Sequence, residues 1–241
     1  MHAFVVSCAF ERVVLGRGAE TFRRVTPDRP IRDLKIAPDL EGEHERLRWA
    51  VGRVPVPHVV AFAKEKDRDY LLLDELPGTP VAVASDLSIA DRVSHMARTM
   101  RELHIVSASS CPFDARVAMR LVDGEANVRA GLVDDADFDA ERIGRSAQSV
   151  LEELRTWPAF TEDVVIAHGD FTLSNVLAHP TGLLDLGRLG VADRHQDLAL
   201  ALRDIESDFG SRWRDVFLRE YGLAALDESK LNFFRLLDEL F

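Results

Sequence analysis

The chain is poor in cysteine, in long apolar runs and in basic charge. Its two cysteines, Cys8 and Cys111, lie far apart and match no metal-ligand spacing. That excludes a cysteine-spaced metal module, and two thiols in a reducing cytosol are expected. No apolar run approaches the ~20 residues of a membrane span, which excludes a transmembrane helix. The start, MHAFVVSCAF, is apolar but has no basic n-region and no clear small-residue cleavage site, so no secretory leader is expected. Thirty Lys and Arg against 41 Asp and Glu leave a formal net charge of −11. Nucleic-acid phosphates call for a basic patch, so this balance argues against nucleic acid and suits a cationic ligand. There is no internal repeat and no low-complexity segment. A cytoplasmic protein, monomeric or weakly dimeric, with no membrane and no nucleic-acid partner is expected.

What is present is 46% hydrophobic residues, enough for a substantial core, in 241 residues that suit one large domain or two small ones. The most informative stretch is 166–190, IAHGDFTLSNVLAHPTGLLDLGRLG. Val164 to Ala167 reads as a short buried strand that ends at His168-Gly169-Asp170. Asn175 follows Asp170 by five positions, then Val176-Leu177-Ala178, a turn at Pro180-Thr181-Gly182, and Leu183-Leu184 before Asp185. Two short strands thus carry Asp, Asn and Asp at their ends, placed so that three oxygen-bearing side chains can converge. Mg²⁺ takes hard oxygen ligands, one or two of them carboxylates, with phosphates and water filling the rest. Protein kinases use H-R-D-x-x-x-x-N followed by D-F-G for phosphoryl transfer. Here the series is H-G-D-x-x-x-x-N followed by D-L-G.

The first 36 residues read as β-rich. Phe4 to Val6, Val13 to Leu15 and Phe22 to Val25 are strand candidates, Gly16-Arg17-Gly18 makes a turn, and Pro27 and Pro30 mark a loop. Ile31 to Ile36 carries Lys35. The spacing of Leu40, Leu47 and Val51 predicts a helix over 40–52, with Glu43 on the same apolar face. A carboxylate there is costly unless paired, and Lys35 is the natural partner. Val59 to Phe62 and Tyr70 to Leu73 read as paired strands. Beyond Asp74-Glu75-Leu76-Pro77-Gly78 the composition turns helical. The predicted division is therefore residues 1–76 and 77–241. Helices are predicted at 86–106, capped by Ser85 or Asp86, at 146–156 and at 194–209, the last burying Leu198, Leu202, Ile205 and Phe209. Two more helical stretches close the chain. Residues 134–141, DDADFDAE, form an acidic run of the kind usually solvated.

HGDFTLSN, LLDLGRLGVADRHQDLALALRDI and the terminal FFRLLDELF closely resemble the aminoglycoside 3'-phosphotransferases, the kanamycin and neomycin kinases. So do EHERLRWAVGRVPVPHVVAF and YLLLDELPG. The likeness runs from about residue 31 to the C-terminus. It implies an α+β, two-lobed protein-kinase-like fold with a small β-rich nucleotide-binding lobe and a larger, mainly helical lobe. It implies ATP, with GTP possible, and Mg²⁺ as cofactors. Lys35 and Glu43 match the phosphate-binding pair, and Glu75 and Leu76 the hinge positions whose backbone meets adenine. Asp170 matches the catalytic base, and Asn175 and Asp185 the magnesium ligands. The antibiotic-binding positions fall on Asp137, Asp139, Asp170, Arg188, Arg203, Asp204, Glu239 and the carboxyl end at Phe241. A polycationic substrate meets such carboxylates through charge-assisted hydrogen bonds.

This sequence departs from the family in three places. Arg17-Gly18-Ala19 stands where a serine usually covers the phosphates, Asp33 stands where an aromatic often stacks on adenine, and Ala140 replaces an acid found in some relatives. The link from Lys35 to Glu43 is also short. Three other readings remain open from the residues. One is a kinase of the same fold acting on choline or a sugar. Another is a metal-dependent hydrolase built from His168, Asp170, Asp185, His195 and Asp197. The third is a nucleotide-binding pseudokinase.

Overall fold

The computed structural model describes residues 11–13, 19–26 and 29–241. The expected strand at Phe4 to Val6, Cys8, the turn Gly16-Arg17-Gly18, the strand residues Val14 and Leu15, and Pro27 lie outside them. The fold is α+β, and the chain divides into two compact units. The first holds the described residues through Thr79 together with Leu177–Gly187. The second holds Pro80–Val176 and Arg188–Phe241.

In the first unit, β1 (Glu11–Val13), β2 (Glu20–Thr26), β3 (Arg29–Ala37), β4 (Val59–Glu65) and β5 (Arg68–Asp74) form an antiparallel sheet in the order β1-β2-β3-β5-β4. β3 is central. Lys35 lies opposite Thr21 on one neighbour and Leu71 on the other, and both of those are buried. The lysine stem is therefore sequestered in the middle of the sheet.

Helix α1 (Glu41–Ala50) follows β3 after three residues. Its N-cap, Leu40, has no capping side chain, and the preceding Asp39 accepts the Glu41 N–H through Oδ1 at 3.1 Å. The buried Asp69 carboxylate accepts the Leu40 N–H at 2.9 Å and fixes the entry to the helix. Leu47 and Ala50 enter the core. Val51, expected on that face, sits at the C-cap with ψ 128° and is exposed, because the chain leaves the helix there into Gly52 at φ 79°.

Beyond β6 (Thr79–Pro80), the second unit begins with α2 (Ile89–His104), α3 (Val117–Ala130), α4 (Ala147–Thr156) and β7 (Val164–Ala167). After β8 (Val176–Ala178) and β9 (Gly182–Leu183) it resumes with β10 (Gly190–Asp193), α5 (His195–Phe209), α6 (Arg214–Tyr221) and α7 (Glu228–Asp238). Val93, Met96, Met100 and Leu103 of α2 are buried, as are Leu198, Leu202 and Ile205 of α5. This is the apolar stripe that helical spacing predicts.

Three local expectations need correction. The cap of α2 is Ser88, whose Oγ accepts the Asp91 N–H at 3.2 Å, because Ser85 to Leu87 is consumed by the preceding turn, where Leu87 N–H reaches the Ala84 carbonyl. Phe209 ends its helix half-buried beneath Arg92, at 5.9 Å from ring centroid to guanidinium carbon. Helix α3 was not foreseen. Its Met119 and Val122 are exposed, and its buried Gly124 lets Leu240 approach, so no apolar stripe marks it.

β7 and β10 pair antiparallel, Ile166 opposite Val191, and Ala167 opposite Gly190. That ribbon ends at the His168-Gly169-Asp170 loop. It is tied to α7 by a buried ion pair, with Lys230 Nζ 2.7 Å from Asp193 Oδ2 and 2.6 Å from the Thr161 carbonyl. Burial alone would raise the Asp193 pKa. Hydrogen bonds from His195, Lys230 and the backbone N–H groups of His195 and Asp163 outweigh that and hold it at about 2.

Removing one partner of a buried pair strands the other charge. Lys230→Met should therefore destabilise the protein by about 3–5 kcal/mol at neutral pH. Asp193 has a depressed folded pKa, so its contribution is present above its ordinary 3.8 and is lost as pH falls from there toward about 2. Urea unfolding of both proteins at pH 7 checks the magnitude, and a difference under about 1 kcal/mol would refute it.

Candidate active site

In the first unit the Lys35 ammonium lies 2.6 Å from Glu43 Oε1 and 3.5 Å from Asp185 Oδ1. The expected strand–helix pair thus forms despite the short link between them. Burial would lower the Lys35 pKa, but the charges and hydrogen bonds of Glu43 and Asp185 together raise it above its usual value. The group is a fixed cation, suited to meeting phosphate oxygens. Asp185 itself adopts φ 57°, a left-handed conformation that a non-glycine residue takes at a cost and that clusters at functional sites.

The hinge positions also lie in this unit. Glu75 N–H bonds the Ile31 carbonyl at 3.2 Å, and its carboxylate is 3.7 Å from Arg23. A side chain at Gly182 would strike Leu76, its Cβ falling 2.5 Å from Leu76 Cδ2, so that glycine makes room for the leucine. Asp33, the departure from the aromatic pattern, is held in a two-pronged pair by Arg23 at 2.8 and 3.0 Å. A cavity of about 440 Å³ at the turn end of the sheet, lined by Arg12, Glu20, Pro38 and Arg68 among others, contains none of these residues.

In the second unit β7 delivers the His168-Gly169-Asp170 loop. Gly169 has φ 85°, and a Cβ there would fall 2.5 Å from the Arg188 carbonyl oxygen, so both conformation and space demand glycine. The adjacent N–H groups of His168 and Gly169 donate to Asp197 Oδ2 and Oδ1 at 2.7 and 2.8 Å. Asp197 is wholly buried in the first turn of α5. His104 Nε2 reaches it at 3.0 Å, and the other ring nitrogen bonds Tyr221 Oη at 2.8 Å.

Asn175 turns its Nδ2 toward Asp170, bonding its carbonyl at 3.0 Å and its Oδ2 at 2.9 Å. The catalytic candidate is oriented by this contact, and the asparagine amide oxygen is directed away from it. An amide oxygen on Asn175 and, in the first unit, a carboxylate on Asp185 are each hard donors of the kind Mg²⁺ takes.

The hydrolase reading has no such support. No group of three or more His, Cys, Asp or Glu among the described residues could hold a metal. His195 is turned onto Asp193 at 2.8 Å, and Asp197 is spent on backbone N–H groups.

The positions expected to meet a polycation also lie in the second unit, and most are joined. Asp204 accepts the Leu173 N–H at 3.1 Å and lies 3.8 Å from Arg203. Arg203 reaches Asp139 at 3.5 Å and Asp238 at 2.9 Å, and Arg188 takes the other Asp238 oxygen at 2.9 Å. Arg188 also lies over the Phe241 ring, 5.1 Å from its centroid, with Arg120 at 3.6 Å. Glu239 accepts the Asp139 N–H. Asp137 is exposed in a short 3-10 turn of the same acidic run.

Sequence reasoning missed the roles of Asp197 and His104 in anchoring the loop, and it missed Asp238 and Arg142. Asp238 carried a signal, since it abuts Glu239 in the acidic DELF ending. Arg142 stands just beyond DDADFDAE, where nothing marks it.

The model of the phosphotransferase enzyme family matches residues 10–234. Aminoglycoside 3'-phosphotransferase of Streptomyces fradiae is 39% identical over 236 residues, covering 92% of this chain and 86% of that protein. Its counterpart in Streptomyces ribosidificus is 37% identical over 254 residues, covering 98% and 92%. Among solved structures, that of an aminoglycoside-3'-phosphotransferase of type VIII aligns with a TM-score of 0.85 at 35% identity, covering 97% of this chain and 94% of that one.

Asp204 yields a prediction of its own. Burial is the largest cause pushing its pKa from 3.8 to about 6, against the Leu173 N–H and Arg203, which lower it. A raised folded pKa means that ionisation disfavours the folded state. Stability is lost as pH rises from 3.8 to about 6 and is level beyond. Asp204→Asn should remove that loss and gain at most about 3 kcal/mol over wild type above pH 6. Below pH 4 the two should match. Denaturant unfolding across this range would refute it if the difference were flat with pH.

Proposed function

Because the chain belongs to the phosphotransferase enzyme family, we infer that it transfers the γ-phosphoryl group of MgATP to the 3'-hydroxyl of an aminoglycoside antibiotic and so confers resistance. The 3' position and the substrate class are supported by the names of relatives that match nearly the whole chain. No helix among the described residues is long and apolar enough to cross a membrane, which is compatible with action in the cytoplasm, where ATP is supplied. The observation that carries the phosphoryl-transfer reading is the Lys35 ammonium held between Glu43 and Asp185.

Phosphoryl transfer asks a protein mainly for position and for charge placed where the transferring group becomes most anionic. Lys35 presents a permanent cation to the nucleotide phosphates, with Glu43 keeping it from turning away. The backbone at Glu75 and Leu76 takes the adenine edge. By the resemblance, Asn175 and Asp185 are the residues that would hold Mg²⁺, which when bound neutralises phosphate charge. Asp170, oriented by Asn175, accepts the proton of the acceptor hydroxyl as its oxygen bonds to the γ-phosphorus. The bond from that phosphorus to the bridging oxygen breaks, and ADP leaves. Asp137, Asp139, Asp204, Glu239 and the terminal carboxylate of Phe241 form the acidic surround for the substrate's ammonium groups, with Arg188 and Arg203 ordering them.

ADP release should be driven by kanamycin and neomycin. A 3'-deoxy aminoglycoside, a neutral sugar or choline should not drive it. Comparable turnover with the sugar or choline would remove the antibiotic assignment and leave the kinase.

Asp170→Ala should lower kcat by at least about 10²-fold, the lower range for a lost general base, with substrate KM little changed. A variant retaining a tenth of kcat would remove Asp170 from that role. Lys35→Ala should instead act on the nucleotide, raising the MgATP KM with the aminoglycoside KM little changed. Unaltered MgATP kinetics would exclude Lys35 as the phosphate cation.

A further inference from the structure

The acidic run and the C-terminal tail are separate sources of carboxylate in the sequence, but the fold bonds them together. Glu239 accepts the Asp139 N–H with both oxygens, at 3.2 and 3.3 Å. Arg142, three residues beyond Asp139, sends its Nη1 to Asp139 Oδ2 at 3.3 Å and to Glu239 Oε1 at 3.1 Å. The Glu239 and Arg142 side chains are 6% and 10% exposed, so neither is a solvated rim charge. Both Glu239 oxygens are engaged by the loop, whereas the Asp139 carboxylate also lies 3.5 Å from Arg203. One further contact ties down the start of the run, the Ala147 N–H to Asp135 Oδ1 at 2.9 Å.

We propose that Arg142 is a specificity-determining positioning residue that locks the acidic loop to the C-terminal tail through Asp139 and Glu239. The proposal rests on the aminoglycoside reading given above. Beyond its place in the acidic surround, Glu239 then also serves the substrate indirectly. It fixes where the loop backbone runs, and so the spacing between the Asp139 carboxylate and the carboxylate that ends the chain. A rigid polycation is recognised by the spacing of its partners more than by their number, because a charge displaced from its partner gains little and still loses water.

The rival role for Arg142 is plain neutralisation of excess acid. The two make opposite forecasts. If Arg142 only neutralises, removing it exposes two carboxylates and tightens polycation binding. If it positions, removing it loosens the loop and weakens binding. A buried pair broken on one side is also costly to the local structure, so the test needs a conservative variant beside the drastic one.

In the ligand-free chain, Arg142→Ala should speed amide hydrogen exchange at Asp139 by at least about tenfold, and Arg142→Lys should restore part of the protection. The same variant should raise the kanamycin KM at least about tenfold, with the MgATP KM within about twofold of wild type, and Arg142→Lys should recover part of that rise too. Glu239→Gln should act in the same direction, and the double variant should lose little more than either single one, as members of one network do. A lower kanamycin KM in Arg142→Ala, strictly additive effects, or unchanged exchange at Asp139 would each overturn the proposal. A wild-type protein that turns over no aminoglycoside would overturn the substrate reading and the specificity role with it, and the exchange experiment would still decide whether the clamp exists.

Discussion

The candidate catalytic loop depends on a single dehydrated carboxylate. Asp197 has no exposure to water, and a charge so placed is tolerable only when its lone pairs are met. They are met by two successive backbone N–H groups, those of His168 and Gly169, and by the His104 ring. The first turn of α5 adds the favourable field of a helix N-terminus. Asp204 lies seven residues on, two turns along the same helix, and takes the Leu173 N–H. One helix therefore grips the loop at both ends, and Asp170 lies between the grips. The loop's shape is set by α5 rather than by its own short sequence.

Charge in the second unit is organised rather than merely abundant. Asp139, Asp204, Asp238 and Glu239 would repel one another if left alone, and Arg142, Arg188 and Arg203 thread between them. Burial still leaves its mark, since Asp204 is pushed up to about 6 and Glu239 is also raised. Under the function proposed above, a cationic substrate meets partners already engaged. It must match the geometry of the arginines it competes with, which favours discrimination over raw attraction.

The sequence was most legible where chemistry and chain order coincide. His168, Gly169, Asp170, Asn175 and Asp185 sit between short apolar strands within twenty residues, and local pattern exposes them. The Lys35–Glu43 pair was also legible, because a carboxylate on an apolar helix face requires a partner and the preceding strand offered one. Asp197 was not legible as the loop's anchor. Its partners are backbone groups 28 and 29 positions away, and backbone groups leave no trace in residue identity. Helix α3 escaped because its sides are mixed and its glycine is excused only by Leu240, more than a hundred residues later. The cap of α2 was misplaced by two or three residues because Ser85, Asp86 and Ser88 are all competent caps, and the turn that precedes Ser88 made the choice.

The path of the chain carries a consequence for how such proteins diversify. The chain passes from the first unit to the second after Thr79, returns for Leu177–Gly187, and passes again to the second. Asp185 thus travels with Lys35 and Glu43 although its neighbours in the gene encode the other unit. No single crossover in the gene can exchange one unit intact. A recombinant that replaced everything before residue 80 would combine a new Lys35 and Glu43 with the old Asp185, so the ion pairs among them would be assembled from two parents. Lys35, Glu43 and Asp185 are thus one packed set encoded on both sides of the second unit's first segment, and a crossover near residue 80 splits it.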